Sequence, residues 1–512
     1  MQIVTKDEMY AIDRFTMERI GMAEEMLMEN AGQAVSRKLM DQVSKNEKIA
    51  VLIGTGNNGG DGFVIARALK SHGYDVDSWL IPPKEKIRGA AQTAMAIYEN
   101  AGYLLRNYTE EGHAVLAEEI GSYTVIIDAL LGIGVQGKLR PPYKEIITLV
   151  NKADAEIISV DLPSGVPADG GPVDEAVQAD WTLTLQCPKM GAFTFPARTY
   201  YGKMEVVDIG IPPLAVQHLG SQRAIWEEHN VIATLPKRTQ NSHKGSYGKG
   251  LVIGGSRNMT GAPLMTAKAA LRSGAGLLTV AVPETVYPMI ASQMAEAMYW
   301  PSPDENGHFK GELKGDLTAF TAVAAGPGMG REKGARSIIE TVLSLQVPVV
   351  IDADGLYHLS SLKERLNERT SPTILTPHSG EMARLIGCSA DDVEKNRFGI
   401  ARDFAVEYGV YVVLKGPYTI VTTPEGSQFV NTTGNAALAK GGSGDVLTGI
   451  ILSFMMQGED IQSAVSNAVY VHGKTADVLL QEGHSLLDVI ATDVIESLPP
   501  VLHYFSNSFR NI

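Results

Sequence analysis

Short runs of Val, Ile and Leu recur along the chain, each followed by a turn of Gly, Asp or Asn and then by an amphipathic stretch with helical spacing. Such near-continuous apolar runs are typical of parallel strands that helices cover on both faces of a sheet. Ligands of such sheets bind beyond the carboxyl ends of the strands, so the polar turns there are the expected sites. The strands that the pattern predicts are residues 49–53, 76–81, 124–127, 157–160, 251–253, 277–282, 319–325, 348–351, 373–375 and 410–414.

The same pattern divides the chain into two blocks. The first block ends in a turn-rich stretch at 207–213, followed by a predicted polar helix at 214–230 and a basic, glycine-containing segment at 236–250. The length of 512 residues alone would allow about three domains. We instead predict two α/β domains: residues 1–225 with a Rossmann-like, doubly wound sheet, and residues 226–512 with an α/β sandwich.

Composition narrows the possible partners. The net charge of −14 argues against nucleic acid or an anionic membrane surface as the main partner. Two isolated cysteines exclude a disulfide framework, and the absence of a secretory signal and of long apolar runs leads us to expect a cytoplasmic protein. Glycine makes up 52 of the 512 residues, above the usual share of about 7%, and it clusters at strand ends where backbone can approach a ligand closely.

The first glycine-rich turn, GTGNNGGDG at 54–62, follows a predicted strand and precedes a predicted helix at 63–70. Backbone N–H groups and a helix dipole at such a turn favour phosphate, although the motif is neither a Walker A nor a plain dinucleotide fingerprint. Its polar side chains, which can orient a ligand or an ion, are Asn57, Asn58 and Asp61. The glycines expected to adopt positive φ and allow close approach are Gly54, Gly56, Gly59 and Gly60.

Two more strand ends of the first block carry polar side chains. Asp128 and Asp161 each follow a buried strand, and either can be a simple turn or capping carboxylate. Because the ends of neighbouring parallel strands converge, we expect them to share a crevice with the first turn. Asn58, Asp128 and Ser164 offer only oxygen ligands, which suit a hard cation rather than zinc. Asp161 is the candidate general base.

These features resemble the N-terminal YjeF family, the NAD(P)H-hydrate epimerases, over most of residues 1–215. The motifs that carry the resemblance are GTGNNGGDG at 54–62, DALLGIG at 128–134, VDLPSGV at 160–166 and LMENAG at 27–32. The resemblance implies that Asn58, Asp128 and Ser164 bind potassium and that Asp161 assists inversion at C6 of the hydrated nicotinamide ring. The residues implied to bind the hydrate are Asn57, Asn58, Gly59, Gly60, Asp61, Gly132, Ile133, Gly134, Val135, Gln136, Gly137, Lys138 and Asp161.

The strongest signal of the second block is GGSGDVLTG at 441–449, which leads into an apolar helix. Glycines at this helix start free successive N–H groups for an anion. Asp445 can be a first-turn acid favoured by the helix dipole, or a base that takes a hydroxyl proton during attack on a phosphoryl group. Lys415 is either a phosphate contact or a solvated turn lysine. His378, one helical turn before Glu381, belongs either to the site or to the solvated surface, and Glu381 can order a magnesium-bound nucleotide.

This block resembles the ribokinase-like superfamily and, within it, the C-terminal YjeF family of NAD(P)H-hydrate dehydratases, over about residues 230–500. The motifs are GGS at 254–256, GPGMG at 326–330, DADG at 352–355, TPHSGEMARL at 376–385 and the run 435–445. The resemblance implies a ribokinase-like fold and Mg²⁺-dependent use of ADP or ATP to dehydrate the S form, by phosphorylation of the hydroxyl and elimination of phosphate. It implies hydrate contacts at Ala262, Gly328, His378 and Asp445, and nucleotide contacts at Lys415, Gly416, Pro417, Tyr418, Thr419 and Gly444.

Both halves therefore imply one substrate class, NADH-hydrate and NADPH-hydrate, and we predict a bifunctional repair enzyme that forms a homo-oligomer. One alternative is a small-molecule kinase of vitamin-precursor type fused to a dinucleotide-binding regulator. Another is a scaffold, since the epimerase family also includes a non-enzymatic module of RNA-decapping proteins. Retention of Asn58, Asp128 and Asp161 favours the enzyme over the scaffold.

Overall fold

The computed structural model describes residues 1–135, 137–313, 315–458 and 460–508. The chain folds into two compact units, one from Gln2 to Ser221 and another from Gln222 onward, which also includes Met1. Each unit is built on a largely parallel sheet with helices on both faces, which confirms the predicted α/β class. Among the described residues, no helix has both the length and the apolar character needed to cross a membrane.

The first unit contains a seven-stranded parallel sheet. Its strands are β1 (Lys48–Ile53), β2 (Asp75–Leu80), β3 (Leu105–Asn107), β4 (Val125–Ala129), β5 (Glu156–Val160), β6 (Trp181–Leu185) and β7 (Lys203–Val207). Its helices are α1 (Lys6–Phe15), α2 (Glu24–Gln42), α3 (Asn57–Ser71), α4 (Gly89–Asn100), α5 (Glu110–Glu119), α6 (Tyr143–Val150) and α7 (Pro213–Leu219). The strand order β3-β2-β1-β4-β5-β6-β7 reverses between β1 and β4, and this reversal opens a crevice beyond the strand ends.

Strand β1 shows why the run from Ile49 to Ile53 is apolar throughout. Side chains alternate across a strand, so neighbours point to opposite faces of the sheet. Ile49, Val51 and Ile53 pack into the core on one face, whereas Ala50 and Leu52 pack into the core on the other. Because both faces are covered, no position of this run faces water.

The glycine-rich segment after β1 differs from the prediction in two respects. Helix α3 begins at Asn57, not at residue 63, so most of the motif forms the first turns of the helix. None of its glycines adopts a positive φ. Gly54 and Gly59 are required by close approach instead, because a Cβ at Gly54 would lie 1.7 Å from Leu130 O, and one at Gly59 would lie 2.2 Å from Gly54 O.

The second unit contains a ten-stranded mixed sheet. Its order is β11-β10-β9-β14-β15-β16-β17-β18-β19-β8, and β18 runs antiparallel to both neighbours, while β12 and β13 form a separate hairpin. The strands are β8 (Arg223–Ile225), β9 (Lys249–Ile253), β10 (Leu277–Pro283), β11 (Met298–Ser302), β12 (Asp304–Glu305), β13 (His308–Phe309), β14 (Ala322–Ala325), β15 (Val349–Ile351), β16 (Thr373–Leu375), β17 (Tyr411–Leu414), β18 (Ile420–Thr422) and β19 (Gln428–Val430).

Helices cover both faces of this sheet. Helices α9, α16, α17 and α18 contribute to the core on one face, and α11, α12, α13 and α15 to the core on the other. The helices of the unit are α8 (Glu228–Thr234), α9 (Gly261–Arg272), α10 (Tyr287–Ala291), α11 (Lys333–Leu343), α12 (Asp354–Leu359), α13 (Ser379–Ile386), α14 (Ala390–Lys395), α15 (Arg397–Tyr408), α16 (Ser443–Gln457), α17 (Ile461–Gln481) and α18 (Ala491–Ser508).

The segment 214–230 is not the single helix that its polarity predicted. Helices α7 and α8 are separated by β8, which pairs in parallel with β19 at the edge of the second sheet. A three-residue edge strand has no apolar periodicity to reveal it. The predicted boundary near residue 225 falls within this strand.

Two candidate active sites

A cavity of about 510 Å³ lies at the carboxyl ends of β1, β4 and β5 in the first unit. It opens where the strand order reverses, the position expected for a ligand of a doubly wound sheet. The predicted hydrate contacts that line it are Asn57, Asn58, Asp61, Gly132, Ile133, Gly134, Val135 and Asp161. Gly59, Gly60, Gly137 and Lys138 are not part of this lining, and Gln136 lies outside the described residues.

Asp161 is held in this cavity by a partner that sequence analysis missed. Its backbone has a φ of 70°, a left-handed conformation that is strained for a non-glycine residue. The buried ammonium of Lys189, only 1% exposed, forms an ion pair with Asp161 Oδ1. Leu185 N donates to the same oxygen over 3.0 Å, and Lys189 Nζ also donates to Leu185 O. These contacts fix both the position and the charge environment of the predicted base.

Three oxygen-bearing side chains meet beside the cavity, as the strand-end argument predicted. Buried Asp128 accepts hydrogen bonds from Ser164 Oγ at 2.5 Å, Ser164 N at 2.9 Å and Ser159 Oγ at 2.8 Å. Asn58 Nδ2 donates to Leu131 O, and Leu131 N donates to Ser164 Oγ, so the backbone of Leu131 connects Asn58 to Ser164. Within the described structure, Asn58 Oδ1 is buried without a hydrogen-bond partner. An orphaned buried oxygen of this kind fits a hard cation.

Two further acids of the cavity wall have perturbed protonation. Burial raises the pKa of Asp61 well above its ordinary value, and the negative charge of Asp161 adds to this rise. Asp13, which reaches the cavity from α1, was not recognised in the sequence. Burial raises the pKa of Asp13 to about 6, against the opposing effect of Lys189. The cavity therefore combines an ion-paired carboxylate with carboxyl groups that tend to hold a proton.

In the second unit, Asp445 lies in the first turn of α16, preceded by Gly442 in the left-handed conformation. Burial raises the pKa of Asp445 to about 7; the negative charge of Asp352 adds to this rise and Lys415 opposes it. A general base works best when its pKa is close to the working pH. Asp445 thus has the protonation behaviour that the base role requires.

Lys415 is not the solvated lysine of the alternative interpretation. Its Nζ lies 2.9 Å from Asp352 Oδ1 and 3.7 Å from Glu381 Oε2. Thr448 Oγ1 donates to Asp352 Oδ2 over 2.7 Å. Burial raises the pKa of Asp352, but the charge of Lys415 and the hydrogen bonds from Lys415 and Thr448 lower it by more. The pKa is therefore below its ordinary value, and the carboxylate stays charged beside Lys415. A Cβ at Gly444 would lie 3.3 Å from Lys415 Nζ, which places this ammonium at the start of α16.

The other predicted ligand contacts of the second unit lie on a helix cap, in a turn and in a close pair of residues. His378 caps α13, with Nδ1 accepting from Gly380 N at 3.0 Å, while its side chain stays 59% exposed. Thr419 Oγ1 donates to Gly416 O and closes the turn that follows Lys415. A Cβ at Gly328 would lie 3.0 Å from the Cβ of Ala262, so these two residues are neighbours. Their assignment to ligands stays a prediction.

The fold and the two sites define a two-unit α/β protein in which each unit places a carboxyl group near a lysine: Asp161 beside Lys189 in the first unit, and Asp445 near Lys415 in the second. A family model described as "YjeF-related protein N-terminus" matches residues 24–191, and one described as "NAD(P)H-hydrate dehydratase" matches residues 250–500. Bifunctional NAD(P)H-hydrate repair enzymes from Moorella thermoacetica and Thermofilum pendens are 37% and 35% identical, each covering 100% of this chain and 98% of the relative. The chain belongs to the family of bifunctional NAD(P)H-hydrate repair enzymes, which confirms the resemblance inferred from its motifs.

A solved structure is also similar to part of the chain. It is the ADP/ATP-dependent NAD(P)H-hydrate dehydratase from Bacillus subtilis, co-crystallized with ATP/Mg²⁺. The two are 37% identical, with 55% of this chain and 98% of that chain covered and a TM-score of 0.49.

Proposed function

We propose that the chain repairs hydrated nicotinamide nucleotides by two activities. The first unit interconverts the R and S forms of NADH-hydrate and NADPH-hydrate, and the second dehydrates the S form at the expense of ADP or ATP. One observation carries the proposal: similarity to bifunctional repair enzymes extends over the whole chain. The carboxyl group of Asp161, paired with Lys189, is the reactive group that we assign to the first activity. The carboxyl group of Asp445, near Lys415, is the one that we assign to the second.

In the second unit, Asp445 takes the proton of the C6 hydroxyl as that oxygen attacks the terminal phosphoryl group of the nucleotide. The N–H groups at the start of α16 and the nearby ammonium of Lys415 stabilise the charge of the transferred group. The C6–O bond then breaks, phosphate leaves and C5 loses a proton, which forms the C5=C6 double bond of NAD(P)H. Mg²⁺ bound with the nucleotide would offset phosphate charge, and Glu381, close to Lys415, is the residue that would help to order it.

We assign the ligand contacts of this unit as the resemblance implies. The nucleotide contacts the turn from Lys415 to Thr419 and Gly444. The hydrated ring contacts Ala262, Gly328, His378 and Asp445. The adjacency of Gly328 to Ala262, and of Gly444 to Lys415, supports two separate subsites.

In the first unit, the hydrated ring occupies the cavity beside Asp161. The C6 atom bears both a hydroxyl and the ring nitrogen, so its inversion requires only proton transfer and transient bond cleavage. Potassium held by Asn58, Asp128 and Ser164 would supply positive charge and connect the start of α3, the end of β4 and the turn after β5. The unpartnered Asn58 Oδ1 supports that assignment.

The test mixes purified protein with a mixture of R and S NADH-hydrate, Mg²⁺ and either ADP or ATP, and follows the absorbance of reduced nicotinamide. We expect recovery to continue past the S fraction, because the first unit converts R to S. No recovery with either donor would overturn the dehydratase, and recovery that stops at the S fraction would overturn the epimerase. Asp445→Asn is expected to slow recovery by at least about 100-fold, the usual worth of a general base.

A further inference from the structure

The cavity of the first unit contains more acids than its cations can neutralise. Four carboxyl groups line it, on Asp13, Glu24, Asp61 and Asp161. Lys189 is the only Lys, Arg or His in its described lining, and it is paired with Asp161. A partly enclosed pocket disfavours several unpaired negative charges, so some of the remaining acids hold a proton. The cavity therefore offers an ion-paired carboxylate together with a proton donor.

We propose that Asp13 is the general acid of the epimerase site, acting together with the base Asp161 on the hydrated ring. This inference rests on the proposed epimerase function. Asp13 is on α1, whereas Asp161 follows β5, so the two groups approach the cavity from different elements. Among the described residues, no hydrogen bond occupies the Asp13 carboxyl, which leaves it available to a bound ring.

Asp13 suits this role better than the neighbouring acids. Asp61 is only 6% exposed, and such deep burial favours a neutral carboxyl that keeps its proton. Glu24 already accepts a hydrogen bond from Asn57 Nδ2. The pKa of Asp13, raised by burial to about 6, allows it both to release and to regain a proton near neutral pH. The titratable groups that interact with Asp13 are Lys189, Asp161, Glu24, Asp61, Tyr10 and Cys187.

The step needs no additional reactant. Asp161 takes the proton of the C6 hydroxyl while the C6–N1 bond breaks; the electron pair of that bond passes to N1, and Asp13 gives N1 a proton. The product is an open-chain aldehyde at C6 with an N–H at N1. Rotation about the C5–C6 bond presents the other face of the aldehyde to N1. As N1 attacks, Asp13 regains its proton from N1 and Asp161 returns its proton to the oxygen, so both acids are restored.

The experiment starts from pure S NADH-hydrate without ADP or ATP and follows the appearance of the R form by chromatography. In Asp13→Asn, kcat for epimerisation is expected to fall about 100-fold with little change in KM. The wild-type kcat/KM should fall above about pH 6, as Asp13 of the free protein loses its proton, and this alkaline limb should be absent from the variant. The matched control is Asp7→Asn, which removes an exposed acid of the same helix and should keep both rate and profile.

The outcomes separate this proposal from the one on which it rests. If the wild-type protein does not interconvert the two forms, the epimerase function itself is wrong. If it does, and Asp13→Asn keeps its rate and its alkaline limb, the acid role of Asp13 is wrong. Should the variant fail to fold, judged by circular dichroism and urea unfolding, carboxyl NMR of the wild type decides: a titration of Asp13 near pH 6 supports the role, and an Asp13 ionised throughout pH 5–8 overturns it.

Discussion

Asp445, the proposed base of the dehydratase site, should reduce the stability of the protein, and the variant Asp445→Asn should measure the size of this effect. Asp445 has an ordinary pKa of 3.8 when unfolded and about 7 when folded, because burial penalises its charge. Raising the pKa from 3.8 to about 7, at ~1.4 kcal/mol per pH unit, corresponds to a free-energy penalty of about 4 kcal/mol once the carboxyl group is fully ionised. An asparagine has nearly the same shape and no charge, so it avoids this penalty.

The sign of the pH dependence follows from the direction of the shift. Because the folded pKa is raised, the unfolded chain loses this proton first, and folding becomes progressively less favourable from about pH 4 to about pH 7. Asp445→Asn should therefore be more stable than wild type at pH 8. Roughly 2.6 kcal/mol of that difference should disappear on lowering the pH to 5. The variant should lose dehydratase activity while it gains stability, as is common for active-site residues.

Urea unfolding of both proteins between pH 5 and pH 8 measures this difference. Asp391→Asn is the matched control, because Asp391 is also a first-turn acid of a helix but is exposed, so its replacement should not produce the stabilisation at pH 8 that we expect of Asp445→Asn. A stability difference between Asp445→Asn and wild type that stays constant with pH would refute the reasoning. So would a variant that is less stable than wild type at pH 8.

Three further predictions concern the first unit. Lys189→Met leaves the buried Asp161 without its ion-pair partner, so the unfolding free energy should fall by about 3 kcal/mol. Epimerisation should be lost, while dehydration of S-hydrate continues. An unchanged calorimetric transition would contradict this prediction. Gly54→Ala places a Cβ 1.7 Å from a backbone oxygen and should cost at least about 2 kcal/mol in urea unfolding, whereas Gly56→Ala, with nothing within 4 Å, should cost far less. Asn58→Ala should abolish the stabilisation by KCl, relative to NaCl, that we expect in thermal melts of the wild type; an equal KCl effect in both proteins would remove Asn58 from the cation site.

The buried strands could be predicted from the sequence because each needs apolar side chains on both faces. The run at 49–53 is an example: its alternate residues enter two different cores, and the strand forms as predicted. Short strands such as β8 and β19 could not be predicted, because runs of only three residues show no periodicity. The helical start of the glycine-rich motif was also missed, since glycines that are needed for close packing look the same in a sequence as glycines that are needed for a turn.

The candidate sites, like the fold, could be predicted from the sequence only in part. Motif spacing alone indicated Asp161 and Asp445 as reactive groups, because strand ends and glycine-rich helix starts place polar side chains at the ligand edge of a parallel sheet. Only the tertiary structure revealed the partners that tune them. Lys189 is 28 residues from Asp161, and Asp352 is 63 residues from Lys415, and each pair meets only after folding. A lysine at a strand end is usually solvated. Whether such a lysine is buried against a carboxylate depends on which elements pack together in three dimensions. The same packing decides how strongly burial raises the pKa of an acid such as Asp13, and no local pattern of residues encodes it.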